Sequence, residues 1–168
     1  MTEIFILRHG DAEPRAGSVP EADRKLTPKG RSDVERVVRA AFGKKLTPEL
    51  ILTSPYRRAV ETAGVARGLL PGKIRLVETP TLLPERRPEE TWKELRSFAT
   101  TKQILLAGHE PHLSLLVAYL LGTPSLDLDL KKGALVRISM GRLAPEPHGE
   151  LKWIITPALA RNPRTRRS

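Results

Sequence analysis

Cysteine is absent from this 168-residue chain. Its absence excludes disulfides, thiolate zinc sites, iron–sulfur clusters and every cysteine-nucleophile phosphatase or protease. Aromatic residues are scarce, at 4%, and no RNA- or DNA-reading motif accompanies them, which argues against stacking recognition of nucleic acid. No apolar run approaches the roughly 18 residues that span a bilayer. Glu3 precedes the first apolar stretch, unlike the basic start of a secretory signal. A soluble, cytoplasmic protein without a membrane partner is expected. Acidic residues are in deficit: 19 Asp and Glu stand against 29 Lys and Arg, for a net charge of +10. That balance points to an anionic partner without naming it.

The remaining composition, 39% hydrophobic and 29% charged, is that of one globular domain with its own core. The positive charge is uneven. Residues 161–168 hold four arginines and no acid. They read as a basic, solvated tail behind a single domain over residues 1–160.

Ile4–Leu7 is a short β-prone run, and the polar residues 11–25 read as a loop. Thr27-Pro28 gives a hydroxyl N-cap followed by proline. Val34, Val37, Val38 and Ala41 then keep helical spacing up to Gly43. Leu50–Thr53 reads as a strand, and Ser54-Pro55 repeats the cap-plus-proline signal before a helical face at Ala59, Ala63 and Ala66. Ile74–Val77, Ile104–Ala107, Ala134–Ser139 and Leu151–Thr156 are further strands; Pro88–Phe98 and Pro111–Leu121 are helices. Strands alternating with helices predict an α/β fold with a mostly parallel sheet covered on both faces. The last two strands are expected to pair antiparallel at an edge.

Three strand ends carry unusual polar sequences: Arg8-His9-Gly10-Asp11, Ser54-Pro55-Tyr56-Arg57-Arg58 and Gly108-His109-Glu110-Pro111. In a parallel sheet the carboxyl ends share one rim, where ligands bind. Arginine's planar fork of donors matches phosphate oxygens, and helix N-termini near Pro55 and Pro111 favour an anion. A neutral imidazole can attack phosphorus while arginines stabilise the equatorial oxygens. Without cysteine, histidine is the nucleophile of choice, and guanidinium groups can replace a metal ion.

These segments, with Leu26-Thr27-Pro28-Lys29-Gly30 between them, resemble the histidine phosphatase superfamily, whose fold is called phosphoglycerate-mutase-like. The narrower resemblance is to its minimal SixA-type phosphohistidine phosphatases. It covers residue 4 to about 120. The resemblance implies a three-layer α/β/α sandwich. It makes His9 the transiently phosphorylated nucleophile, with Arg8 and Arg58 clamping the phosphoryl group and His109 completing the pocket. Gly10, Ser54 and Gly108 are phosphate-binding or supporting candidates, Ser54 as a helix cap first. Glu85 and Asp11 are the candidate general acids. No cofactor and no metal are implied.

Other residues have plainer readings. Arg57 is expected in solvent, and His148 exposed in a Pro/Gly turn. Trp92 and Trp153 are expected in the packing, and Lys131-Lys132 in a turn. His109 and His112 lack the H-E-x-x-H spacing of a zinc site. The substrate is expected to be a phosphorylated molecule, foremost a phosphohistidine-carrying protein reached through an open, shallow site rimmed by residues 11–25 and 84–88. Small phosphate esters or sugar phosphates are the alternative, and a basic nucleic-acid-binding module is the rival from another class.

Overall fold

Strand β1 (Thr2–Arg8) sorts its side chains by alternation. Ile4 and Ile6 enter one core and Phe5 and Leu7 the other, and all four are fully buried. This two-sided burial explains why the run is continuously apolar. In the computed structural model, which describes residues 1–160, β1 lies inside a six-stranded sheet of order β3-β2-β4-β1-β5-β6. The expected basic tail, 161–168, lies outside the described residues.

The other strands are β2 (Leu50–Thr53), β3 (Arg75–Glu78), β4 (Gln103–Gly108), β5 (Leu135–Met140) and β6 (Gly149–Ile155). β1, β2, β3 and β4 run parallel. β5 is antiparallel to both β1 and β6, so the last two strands form an antiparallel edge as the sequence suggested. Helices α1 (Pro28–Phe42) and α2 (Arg57–Leu69) cover the face of Phe5, Leu7 and Ile51; α3 (Pro88–Arg96) and α4 (His112–Leu120) cover that of Ile4, Ile6 and Leu106. The result is the expected α/β/α sandwich.

The start of α1 follows its sequence signals: Thr27 Oγ1 accepts from Gly30 N at 3.0 Å, and Pro28 occupies the first turn. The start of α2 does not. Its N-cap is Tyr56, and no side chain caps it. Ser54 stands two residues too early, so its hydroxyl accepts instead from Tyr56 N at 3.2 Å. The segment expected as a loop over 11–25 also holds structure, with a 3-10 turn at Glu21–Asp23 and a β-bridge between Ala12 and Leu26.

Trp92 is buried and donates Nε1–H to Pro145 O at 3.0 Å, while Trp153 packs on Phe5. Both serve packing, as expected, and His148 is exposed.

Candidate active site at the strand ends

The register of the parallel strands sets the site. Arg8 pairs with Gly108 and Thr53 with Ala107. The ladder runs one residue further: His9 N donates to Gly108 O at 3.0 Å and Ser54 N to Ala107 O at 2.9 Å. His9, Ser54 and His109 therefore arrive on one rim.

His9 is fixed at both ring nitrogens. Nδ1 lies 2.7 Å from Gly10 O, and a carbonyl can only accept, so Nδ1 carries the proton. Nε2 then keeps its lone pair, toward which Arg58 Nε–H points at 3.3 Å. Burial, with the charges of Arg58, Arg8 and Lys132, lowers the His9 pKa to about 3 against the opposing pull of the Gly10 bond. His9 is neutral at pH 7, the form a nucleophile needs.

Arg58 comes from the first turn of α2 and Arg8 from the last residue of β1. Thr62 Oγ1 donates to Arg58 O at 2.7 Å and accepts from Gly10 N at 3.2 Å, latching α2 onto the His9 segment. Arg8 Nη1 donates to Leu130 O at 2.7 Å, while its buried Nε has no protein partner. Gly133 N donates to the carbonyls of Arg8 and His9. That bond folds the Lys131–Lys132 turn over the strand end and explains why Lys132 acts on His9.

The His109 ring centroid is 5.1 Å from that of His9. Its Nε2 bonds Ser54 Oγ at 2.7 Å, and its buried Nδ1 has no protein partner. Burial first, then the neighbouring His9 and Arg58, lowers its pKa to about 2. Ser54 Oγ also accepts from Tyr56 N, and in the tautomer in which it donates to Nε2, Nδ1–H is a donor for a substrate oxygen. The Tyr56 ring packs 5.2 Å from His109 and 5.1 Å from the Arg58 guanidinium carbon.

Two glycines act through close packing. A Cβ on Gly10 would stand 2.6 Å from Gly30 O, and one on Gly30 would stand 2.1 Å from Asp11 O. Gly10 N donates to Thr62 Oγ1 at 3.2 Å, a supporting contact. Gly108 contributes its carbonyl to His9 N and leaves room for Leu113.

Neither carboxyl candidate is bonded to the His9 ring. Asp11 accepts from Lys132 Nζ at 3.1 Å and Thr27 Oγ1 at 3.0 Å. Partial burial raises its pKa, but these bonds more than offset that and hold it below the ordinary aspartate value. It is ionised and a poor proton donor. Glu85 is exposed beyond the 3-10 turn Pro80–Leu82, and its charge acts on His112. His112 binds Arg86 O at 2.7 Å and Thr91 Oγ1 at 2.9 Å and ties that loop to α4. Both its nitrogens are thus engaged away from His109, so the two do not converge on a metal. Among the described residues no cluster of three or more His, Asp or Glu could hold one.

Access differs from expectation. His9 is 6% exposed, His109 1% and Arg58 4%. The 3-10 turn folds onto Arg58: Glu21 O accepts from Nη1 at 2.9 Å, and the Glu21 carboxylate lies 3.0 Å from Nη2. The three side chains lie buried at a site expected to be open and shallow. Beside it a cavity of about 470 Å³ is lined by Asp11, Lys29, Asp33, Lys131, Lys132 and Pro157 among others. Arg57 reaches solvent, as expected.

Sequence reasoning missed Glu21, Tyr56, Thr62 and the carbonyl of Leu130. Tyr56 and Thr62 stand within the segment that carries Arg58 and could have been found by helical spacing. No local signal marks Glu21 or Leu130, which reach the site only through tertiary folding.

Residues 4–83 match the histidine phosphatase superfamily (branch 1). A protein of Picosynechococcus without an assigned function is 29% identical over 153 residues, covering 87% of this chain and 90% of its own. Among solved structures, the protein histidine phosphatase SixA complexed with tungstate is similar at a TM-score of 0.81 and 25% identity, over 94% of this chain and 98% of that one. A phosphoserine phosphatase of Entamoeba histolytica shares the fold at a TM-score of 0.69 and 16% identity, over 92% and 96% of the two chains. No helix among the described residues is long and apolar enough to cross a membrane.

Proposed function

The chain belongs to the histidine phosphatase superfamily, and from that premise we propose that it removes phosphoryl groups from phosphohistidine on a protein through a transient phosphoryl group on its own His9. The observation that carries this reading is the wiring of His9: Nδ1–H tied to Gly10 O, and an unprotonated Nε2 whose lone pair faces Arg58 Nε–H. In the first step Nε2 attacks the phosphorus of a phosphohistidine ring that already carries a proton on its other nitrogen, the P–N bond breaks, and its electron pair leaves with that ring as neutral imidazole. In the second, water attacks the phosphoryl group on Nε2, releasing phosphate and regenerating His9.

Arg8 and Arg58 clamp the phosphoryl oxygens, with His109 Nδ1–H as a third donor and Ser54 as its support. Two of the three buried side-chain polar atoms without a protein partner among the described residues, Arg8 Nε and His109 Nδ1, belong to this site and suit one that receives an oxyanion. The guanidinium charges serve the transition state without a metal ion.

The leaving group decides the substrate class. An imidazole, with an ordinary pKa near 6.5, leaves readily, whereas an alkoxide must be protonated as it departs. Asp11 is held ionised and Glu85 is exposed, which favours the substrate that needs less acid. The tungstate bound by SixA, a tetrahedral oxyanion, supports the same pocket chemistry.

The second reading, a phosphatase for small phosphate esters, is favoured by the burial of His9. Rapid-quench labelling tests the mechanism: acid-labile, base-stable label must appear on the chain and vanish in His9→Ala. Label that survives the substitution refutes the assignment. Turnover of a phosphohistidine protein against p-nitrophenyl phosphate and sugar phosphates then separates the two substrate classes.

A further inference from the structure

Each nitrogen of the Arg58 guanidinium is occupied. Nε faces His9, Nη1 donates to the Glu21 carbonyl, and Nη2 meets the Glu21 carboxylate at 3.0 Å. The carboxylate presents to Arg58 what a phosphoryl group presents, anionic oxygen at hydrogen-bond distance. A phosphoryl group that approaches Nη2 competes with the carboxylate for the same guanidinium charge.

The exchange strands no charge. Glu21 Oε1 also lies 2.8 Å from Arg24 Nη1, and Oε2 lies 3.1 Å from Arg15 Nε. After leaving Arg58 the carboxylate keeps two guanidinium partners. The backbone need not follow, because the Glu21 carbonyl remains on Arg58 Nη1 and Arg24 Nε is anchored to Glu13 O at 2.7 Å.

We infer that Glu21 is a resident anion on Arg58 that competes with an incoming phosphoryl group and so sets the affinity of the clamp. This rests on the reading of Arg58 as a phosphoryl clamp. A phosphate monoester or phosphoramidate brings up to two negative charges against one carboxylate and can take its place. Glu21 thereby raises the threshold for occupying the clamp.

The test is binding of inorganic phosphate and of dimethyl phosphate at pH 8 to the full chain, with kcat on p-nitrophenyl phosphate measured alongside. Glu21→Gln removes the charge at constant size. Glu21→Asp keeps the charge on a stem one carbon shorter, drawing it back from Arg58, and checks the result if the first variant folds poorly. Both variants should bind phosphate about 5-fold tighter, the upper end for a partly exposed ion pair. Dimethyl phosphate should gain no more than phosphate does, because a carboxylate repels a dianion more strongly than a monoanion. Unchanged or weaker phosphate binding in the variants, or lower kcat with no gain in affinity, overturns the inference and leaves Glu21 as a prop for Arg58. Arg58→Ala separates the role of Glu21 from that of the clamp. Wild-type binding of phosphate that Arg58→Ala does not weaken overturns the clamp reading itself, and the role of Glu21 with it.

Discussion

Replacing Gly30 by alanine inverts the usual effect of that substitution inside a helix. By propensity alone the change should stabilise α1 by about 1 kcal/mol. A Cβ at this position, however, would lie 2.1 Å from Asp11 O and 2.7 Å from Asp11 N. The obstacle is backbone, which cannot swing aside like a side-chain tip. Overpacking typically costs about 1–3 kcal/mol, occasionally more, and a contact this close belongs at or beyond the upper end. The net loss should be at least about 2 kcal/mol. In a chain of this size, with about 2–4 °C lost per kcal/mol, the melting temperature should fall by about 4–8 °C. Asp11 lies two residues from His9, so the displacement also reaches the nucleophile. Misplacement of about 1 Å can cost about 100-fold in rate, and kcat/KM should fall at least about 10-fold. Gly64→Ala is the matched control. Gly64 lies in α2, and a Cβ added there would meet nothing within 4 Å. Only propensity acts at that position, so the melting temperature should rise by about 2–4 °C. Differential scanning calorimetry with steady-state turnover checks both. If Gly30→Ala melts at or above the wild-type temperature with full activity, the close-packing argument is wrong.

Arg58→Ala should lower kcat/KM by about 100- to 1,000-fold, the scale for losing one donor to transition-state charge; a loss under about 10-fold would remove it from the clamp. Ser54→Ala removes bonds to His109 and to Tyr56 N and should cost about 1–2 kcal/mol in urea denaturation, with kcat falling more than KM rises. Acid should destabilise the fold through His9 and His109. Both pKa values are lowered, so each ring binds a proton on unfolding, and stability is lost as pH falls from about 6.5 toward 3. The slope of urea midpoint against pH between about 7 and 4.5 should therefore be shallower in His109→Asn, and an equal slope would contradict the burial argument. Deleting residues 161–168 should leave melting temperature and p-nitrophenyl phosphate turnover unchanged, as expected if 1–160 is the whole domain.

The sheet and its helices were legible because their signals are local. Alternation in Ile4–Leu7, the Thr27-Pro28 start of α1 and the apolar runs at Leu50 and Ile104 each act within a few residues. His9, Arg58, Ser54 and His109 could be grouped because parallel strands deliver their carboxyl ends to one rim. Ser54 shows the limit. Cap chemistry and hydrogen bonding to a distant histidine draw on the same hydroxyl, and only the register, one residue past the β2–β4 ladder, decides between them. The burial of the site was hidden for a related reason. A short polar segment looks like a loose rim until an ion pair across 37 residues, Glu21 to Arg58, folds it inward.

The strand order has a kinetic consequence. β4 lies between β1 and β2, which do not touch each other. As the chain emerges from the ribosome at about 5–20 residues per second, β1 and β2 are complete long before residue 103. Until then each presents an unsatisfied edge. The insertion of β4 joins β1 to β2 and brings His109 into place, but the other edge of β1 waits for β5, and Arg8 and His9 wait for Leu130 and Gly133. Catalytic competence should therefore appear only after residues 130–140 have docked, and the interval before that is when this chain is most exposed to mispairing between copies.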